Sequence, residues 1–306
     1  ALAATLFGAL LDAKARHGAD KVVLEDAERQ TLTYGRLVLA SLILGRKIDE
    51  LARPGTPVGV LLPNVNAMVV ALMGLNARGR VAALLNFTAG SRNLASALKT
   101  GLVETVVTSR RFVETAKLEH EMAHLATTEV SPGRTARIVY LEDVRASIGT
   151  LDKIRGALSA PFARALHRRS GAAPEKLAVI LYTSGTEGTP KGVALTNRNL
   201  AANAHQIWRH ADGMLSAADV VMNPLPMFHS FGLTAATLMP LLNGLKTVLY
   251  PSPLHYKQVP HSIRATRATV LFATDTFLQG YARAADDGDL ASIRYVIAGA
   301  EKVKDQ

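Results

Sequence analysis

Residues 177–192 read LAVILYTSGTEGTPKG, an apolar run that passes directly into a loop of glycines and hydroxyls. LAVILY has the length and composition of a buried strand. The loop carries four aliphatic hydroxyls (Thr183, Ser184, Thr186, Thr189), three glycines (Gly185, Gly188, Gly192) and two charges, Glu187 and Lys191. Glycines let backbone N–H groups approach an anion, the hydroxyls add donors, and Lys191 adds a positive charge after the stiffening Pro190. That chemistry suits phosphate oxygens. The loop is not a P-loop of the form G-x-x-x-x-G-K-S/T. Counted from Gly185, Pro190 stands at the second glycine and Gly192 at the Ser/Thr, so the Mg²⁺-binding hydroxyl is missing.

Outward from the loop, short apolar runs alternate with helical patterns. Upstream stand VGVLLP (58–63), VAALLN (81–86), ETVVTS (104–109) and RIVYLEDV (137–144), with helices predicted near 66–78 and 91–99. Downstream come VVMNPLP, KTVLYP, ATVLFAT and RYVIAGA, with helices near 199–209 and 230–244. No dinucleotide fingerprint follows VGVLLP, where PNVNAM continues the chain. The alternation predicts an α/β fold of parallel-rich sheets flanked by helices. Two subdomains are expected, 1–170 and 171–306, the second carrying the loop.

From Val144 to Leu166 apolar residues recur at 144, 148, 151, 154, 158, 162 and 166 among several Lys and Arg. This predicts a basic amphipathic helix near 144–169, interrupted at Pro161. It reads as a surface helix packing one side on the core, with contact to a membrane surface as the alternative.

The 306 residues are 48% hydrophobic and 20% charged, which places the chain among globular proteins. With no cysteine, a disulfide framework, a thiolate metal site and a Cys nucleophile are excluded. The net charge of +10 favours anionic partners. Nucleic acid is not expected, because aromatics are only 5% and no Lys/Arg block appears. The longest stretch without Asp, Glu, Lys or Arg, 220–245, is broken by Pro224, Pro226 and Pro240 and does not read as a membrane span. The expected location is the cytoplasm.

YTSGTEGTPKG resembles the Tyr/Phe-Thr-Ser-Gly-Ser/Thr-Thr-Gly-x-Pro-Lys-Gly signature of the adenylate-forming (AMP-binding) superfamily. GVLLPN (59–64) with VAALLNF resembles that family's first subdomain, NPLPMFHSFG (223–232) its second core motif, and VIAGAEK (296–302) the strand and turn beside adenine. The resemblance implies part of the large N-terminal domain of an enzyme that uses ATP and Mg²⁺. Such enzymes convert a carboxylate to an acyl-adenylate and pyrophosphate, then pass the acyl group to a thiol. It implies phosphate contacts from Thr183, Ser184, Gly185, Thr186, Glu187, Gly188, Thr189 and Lys191. It places Gly299, Ala300 and Glu301 at the adenine edge, and Phe228, Phe231, Gly232, Thr274 and Thr276 around the acyl group. His229 borders the acyl carboxylate on this reading, and is a packed core residue on the plainer one. Lys191 and His229 are the catalytic expectations, Lys191 through charge neutralisation as pyrophosphate leaves and His229 at the acyl carboxylate rather than as a general base.

Glu187 stands where most members have Thr, and is either a Mg²⁺ ligand or a solvent-facing side chain. With PLPMFHSFGLT, LYPSPLHYKQVP and TFLQGYARAADD, it makes the chain similar to the synthetase half of the bacterial bifunctional acyl-carrier-protein synthetase/2-acylglycerophosphoethanolamine acyltransferase family. That likeness implies a fatty acid as substrate and acyl carrier protein or CoA as acceptor. It also implies peripheral contact with the inner membrane's cytoplasmic face. An amino-acid or other carboxylate adenylation domain is one rival, with Asp275 as its candidate ammonium ligand, and a non-catalytic membrane- or lipid-associated module using the basic helix is the other. The family's Y-G-x-T-E motif and mobile C-terminal domain are expected beyond Gln306, and the piece alone is expected to turn over negligibly.

Overall fold

The computed structural model describes residues 4–183 and 190–303. In chain order its strands are β1 (Val22–Asp26), β2 (Thr31–Thr33), β3 (Val58–Val60), β4 (Ala82–Leu84), β5 (Thr105–Thr108), β6 (Glu129–Ser131), β7 (Arg134–Thr135), β8 (Arg137–Tyr140), β9 (Leu177–Thr183), β10 (Lys191–Thr196), β11 (Val220–Asn223), β12 (Lys246–Leu249), β13 (Val270–Ala273) and β14 (Tyr295–Ala298). They form two six-stranded sheets and the small β6–β7 hairpin. The chain divides into two compact units, each assembled from separated segments.

The first unit holds the sheet β10-β9-β4-β3-β5-β8, parallel except for the β9–β10 pair. Strands β3, β4 and β5 are buried along their whole length, as expected for parallel strands covered on both faces. Leu94 and Leu98 of helix Ser91–Gly101 close over Val103 and Val106, and Met122 and Leu125 extend that core. The strand leading into the glycine loop therefore belongs to this sheet, beside β4.

The second unit holds the sheet β14-β13-β11-β12-β1-β2, parallel except for the β1–β2 pair. Its core packs Met222, Val248 and Leu271 of the strands against Val259 and Ile263 of helix Gln258–Thr266 and against Tyr281.

Two helical expectations are redrawn. The basic segment is not one helix but Leu141–Ala146, Thr150–Ser159, a 3₁₀ turn at Ala160–Phe162, and Ala163–Arg169. Gly149 and Pro161 supply the breaks, since one favours non-helical backbone and the other lacks an N–H. The second is 230–244. Phe231–Leu238 winds as a π-helix, in which Met239 N–H reaches five residues back to the Thr234 carbonyl, and an α-helical turn follows at Met239–Leu242.

Candidate functional site

In the first unit, β9 and β10 run antiparallel with Thr183 opposite Lys191 and Tyr182 opposite Gly192. Directly opposed residues lie about 4.5–5.5 Å apart between Cα atoms, so Thr183 and Lys191 stand side by side across the ladder. Thr183 and Lys191 are both exposed there, and β10 is the sheet's edge strand. Tyr182 is buried beside Gly101. Its hydroxyl has no hydrogen-bond partner among the described residues, and burial raises its pKa. Ser184, Gly185, Thr186, Glu187, Gly188 and Thr189 lie outside the described residues.

In the second unit the remaining candidates gather at the C-terminal ends of three neighbouring parallel strands. NPLPMFHSFG begins at the end of β11, Thr274 follows β13, and Gly299 follows β14. In open parallel sheets this edge is where ligands bind. Phe231 packs edge-on against Phe272, with ring centroids 5.7 Å apart, and its ring also lies against Gly299. Gly232 is pressed on the backbone of the preceding turn, where an added Cβ would stand 2.3 Å from the Pro226 carbonyl oxygen.

The π-helix has a local cause. Thr237 Oγ1 donates to the Gly232 carbonyl at 2.8 Å, five residues back, and Asn223 Nδ2 donates to Thr237 Oγ1 at 2.8 Å. Asn223 Oδ1 accepts from Leu225 N–H at 3.0 Å. Asn64 Nδ2 donates to the carbonyls of Asn223 at 3.3 Å and Leu225 at 2.5 Å. Such π turns recur at functional sites because they displace side chains from helical register.

Glu301, expected at the adenine edge, reaches back to the element after β13. Its carboxylate accepts from Thr276 N–H at 2.5 Å and Thr276 Oγ1 at 3.1 Å. It therefore caps the N-terminus of helix Asp275–Ala284, and ties the turn after β14 to the element after β13. Ala300 adopts a left-handed conformation with φ of 69° to make that turn, and Gly299 N–H donates to the Ala273 carbonyl at 3.3 Å. Asp275 is buried and accepts from Gln279 Nε2 at 2.9 Å, one helical turn on, an arrangement of local helix structure.

Phe228 is buried, whereas His229 is exposed, with its ring edge-on to Phe228 at 4.7 Å between centroids. Partial desolvation lowers the His229 pKa, which favours neutral imidazole near pH 7. The residues that sequence reasoning passed over are Asn64, Asn223 and Thr237. Two of them were in view, since Asn64 and Asn223 each end a strand-like run inside a quoted motif, where a free amide serves a turn better than a strand.

A family model described as AMP-binding enzyme matches residues 11–306. The chain belongs to the AMP-binding enzyme family. It is 30% identical over 250 residues to sulfoacetate–CoA ligase of Cupriavidus necator, covering 79% of this chain and 44% of that protein. To 4-coumarate–CoA ligase 2 of Petroselinum crispum it is 23% identical over 291 residues, covering 92% and 50%. The chain thus spans about half the length of the curated relatives it matches. The crystal structure of VinN superposes with a TM-score of 0.75 at 22% identity, covering 99% of this chain and 71% of that one. The α/β architecture matches the large N-terminal domain of adenylate-forming enzymes, as the sequence led one to expect. Among the described residues no helix is long and apolar enough to cross a membrane.

Proposed function

We propose that the chain is the nucleotide-binding part of an AMP-forming acid–thiol ligase, closest in kind to the acyl-carrier-protein synthetase branch. Its substrate is a fatty acid, and its acceptor the thiol of acyl carrier protein or CoA. The observation that carries this is the loop base: Thr183 and Lys191 held opposite each other and exposed at a sheet edge, with a donor-rich segment between them. That donor set suits a triphosphate. The carboxylate oxygen attacks the α-phosphorus, the bond to the bridging oxygen breaks, and pyrophosphate leaves. Lys191 stabilises the charge that collects on the leaving phosphates. No general base is needed for an ionised carboxylate, which agrees with His229 acting as a wall of the acyl pocket beside Phe228 and Phe231.

Glu187 is the candidate residue that would hold the Mg²⁺ accompanying ATP, and the ion would supply further charge neutralisation on the phosphates. The turn at Gly299 and Ala300 borders the adenine, with Glu301 holding that turn through Thr276. The relatives named as CoA ligases support the thiol-transfer step, and the motif likeness supports the fatty acid. The test is acid-dependent pyrophosphate release by the full-length protein, followed by acyl transfer to carrier protein and to CoA. Release with long-chain fatty acids is expected. Activity only with short or aromatic acids would overturn the substrate, and no acid-dependent release would overturn the ligase.

A further inference from the structure

Along residues 150–162 the bulky apolar side chains turn to solvent. Leu151, Ile154, Leu158 and Phe162 are 71%, 49%, 68% and 67% exposed; the first three share one face of helix Thr150–Ser159, and Phe162 follows in the 3₁₀ turn. What meets the rest of the first unit is mostly small or polar, with Leu166 half-buried. A Cβ on Gly156 would stand 2.4 Å from Ile43 Cγ1, Ala163 is buried, and His167 is held by Thr5 at 2.6 Å and the Ala77 carbonyl at 3.0 Å. An amphipathic surface helix normally shows the opposite arrangement, with its large apolar residues inside.

Charge accompanies the row. Lys153, Arg155, Arg164, Arg168 and Arg169 are all exposed, against the single acid Asp152, which is engaged by Arg46 and Lys47. Beside the row opens a cleft of about 540 Å³, walled by Leu42, Ile43, Leu158 and Phe162 with Arg155 and Arg169 at its edge. An apolar row among cations fits an amphiphile with an anionic head.

We propose that Thr150–Arg169 is a peripheral docking face for an anionic lipid surface. Leu151, Ile154, Leu158 and Phe162 enter the acyl boundary while Arg155, Arg169 and their neighbours meet phosphate headgroups. Leu151 to Leu158 span about 10 Å along helix Thr150–Ser159. Large apolar side chains exposed beside cations match the layering of acyl chains under phosphate headgroups, which favours lipid over an acidic protein. This face does not rest on the ligase reading, since lipid docking needs neither nucleotide nor thiol.

The test is flotation of the full-length protein with vesicles of equal parts phosphatidylglycerol and phosphatidylcholine, and with phosphatidylcholine alone. Binding to the anionic vesicles only is expected. Leu158→Ser with Phe162→Ser should weaken it about tenfold or more, without loss of fold because both side chains are exposed. Arg155→Glu with Arg169→Glu should weaken it comparably at low salt. The charge-matched pair Arg209→Glu with Arg283→Glu, exposed residues of the second unit, should leave it unchanged. Equal loss in that control would assign binding to net charge and overturn the face. So would undiminished flotation of the serine pair, or absence of flotation while the same face captures an acidic carrier protein.

Discussion

Lys191 stands opposite Thr183 across the β9–β10 ladder, so one cation and one hydroxyl mark the two ends of the glycine loop. Because Lys191 is exposed, its side chain has little part in holding the sheet. Lys191→Ala should therefore separate function from fold. Pyrophosphate release by the full-length protein should fall about 10²–10³-fold, while unfolding free energy should move by less than about 0.5 kcal/mol. Lys191→Arg should recover part of the rate. Equal rates for wild type and the alanine variant would remove Lys191 from the phosphates.

The two glycines near Phe231 should differ in their tolerance of a methyl group. At Gly232 the new Cβ meets backbone, the Pro226 oxygen at 2.3 Å and the Leu225 oxygen at 2.8 Å. At Gly299 it meets the end of the Phe231 ring at 2.9 Å, which can swing aside. Gly232→Ala should cost about 2–3 kcal/mol and Gly299→Ala about 1 kcal/mol. Denaturant melts give the order, and the reverse order would show that the Phe231 ring is the more rigid neighbour.

These pairs also show what was legible before the structure. LAVILY announced a buried strand, and strand–helix alternation announced the parallel-rich sheets. Periodicity gave the apolar positions of 144–166, but not that Leu151, Ile154, Leu158 and Phe162 face solvent while Val144 is buried. Amphipathic spacing is symmetrical between burying and exposing a row, and only the close packing of Gly156 on Ile43 decides it. The π-helix was equally hidden, because it depends on Asn223 and Thr237, fourteen residues apart, competing for the Gly232 carbonyl. Glu301 matched a motif, yet its bond to Thr276 spans 25 residues that sequence spacing alone does not bring together.

Glu301→Ala should loosen the start of helix Asp275–Ala284 by about 1 kcal/mol, the typical worth of an N-terminal cap. Glu301→Gln keeps an acceptor oxygen and should lose less. Faster amide exchange at Thr276 in the alanine variant is the direct readout. Unchanged exchange there would mean that solvent satisfies the helix end as well as the carboxylate does.

Asp152 supplies the pH dependence. Its carboxyl accepts from Lys47 Nζ at 3.0 Å, from the Gly149 N–H at 3.0 Å and from Arg46, tying helix Thr150–Ser159 to helix Tyr34–Leu51. The Lys47 hydrogen bond, then the Gly149 N–H and Arg46, lower its pKa from 3.8 to about 2 against opposing desolvation. A carboxylate with a depressed folded pKa binds its proton first in the unfolded chain. Its contribution is therefore complete above 3.8, and falls away as pH drops toward about 2. Asp152→Asn should be less stable than wild type at neutral pH, and the gap should close across that acid window. A stability difference that stays constant from neutral pH to about pH 2 would show that the lost contact is steric rather than ionic.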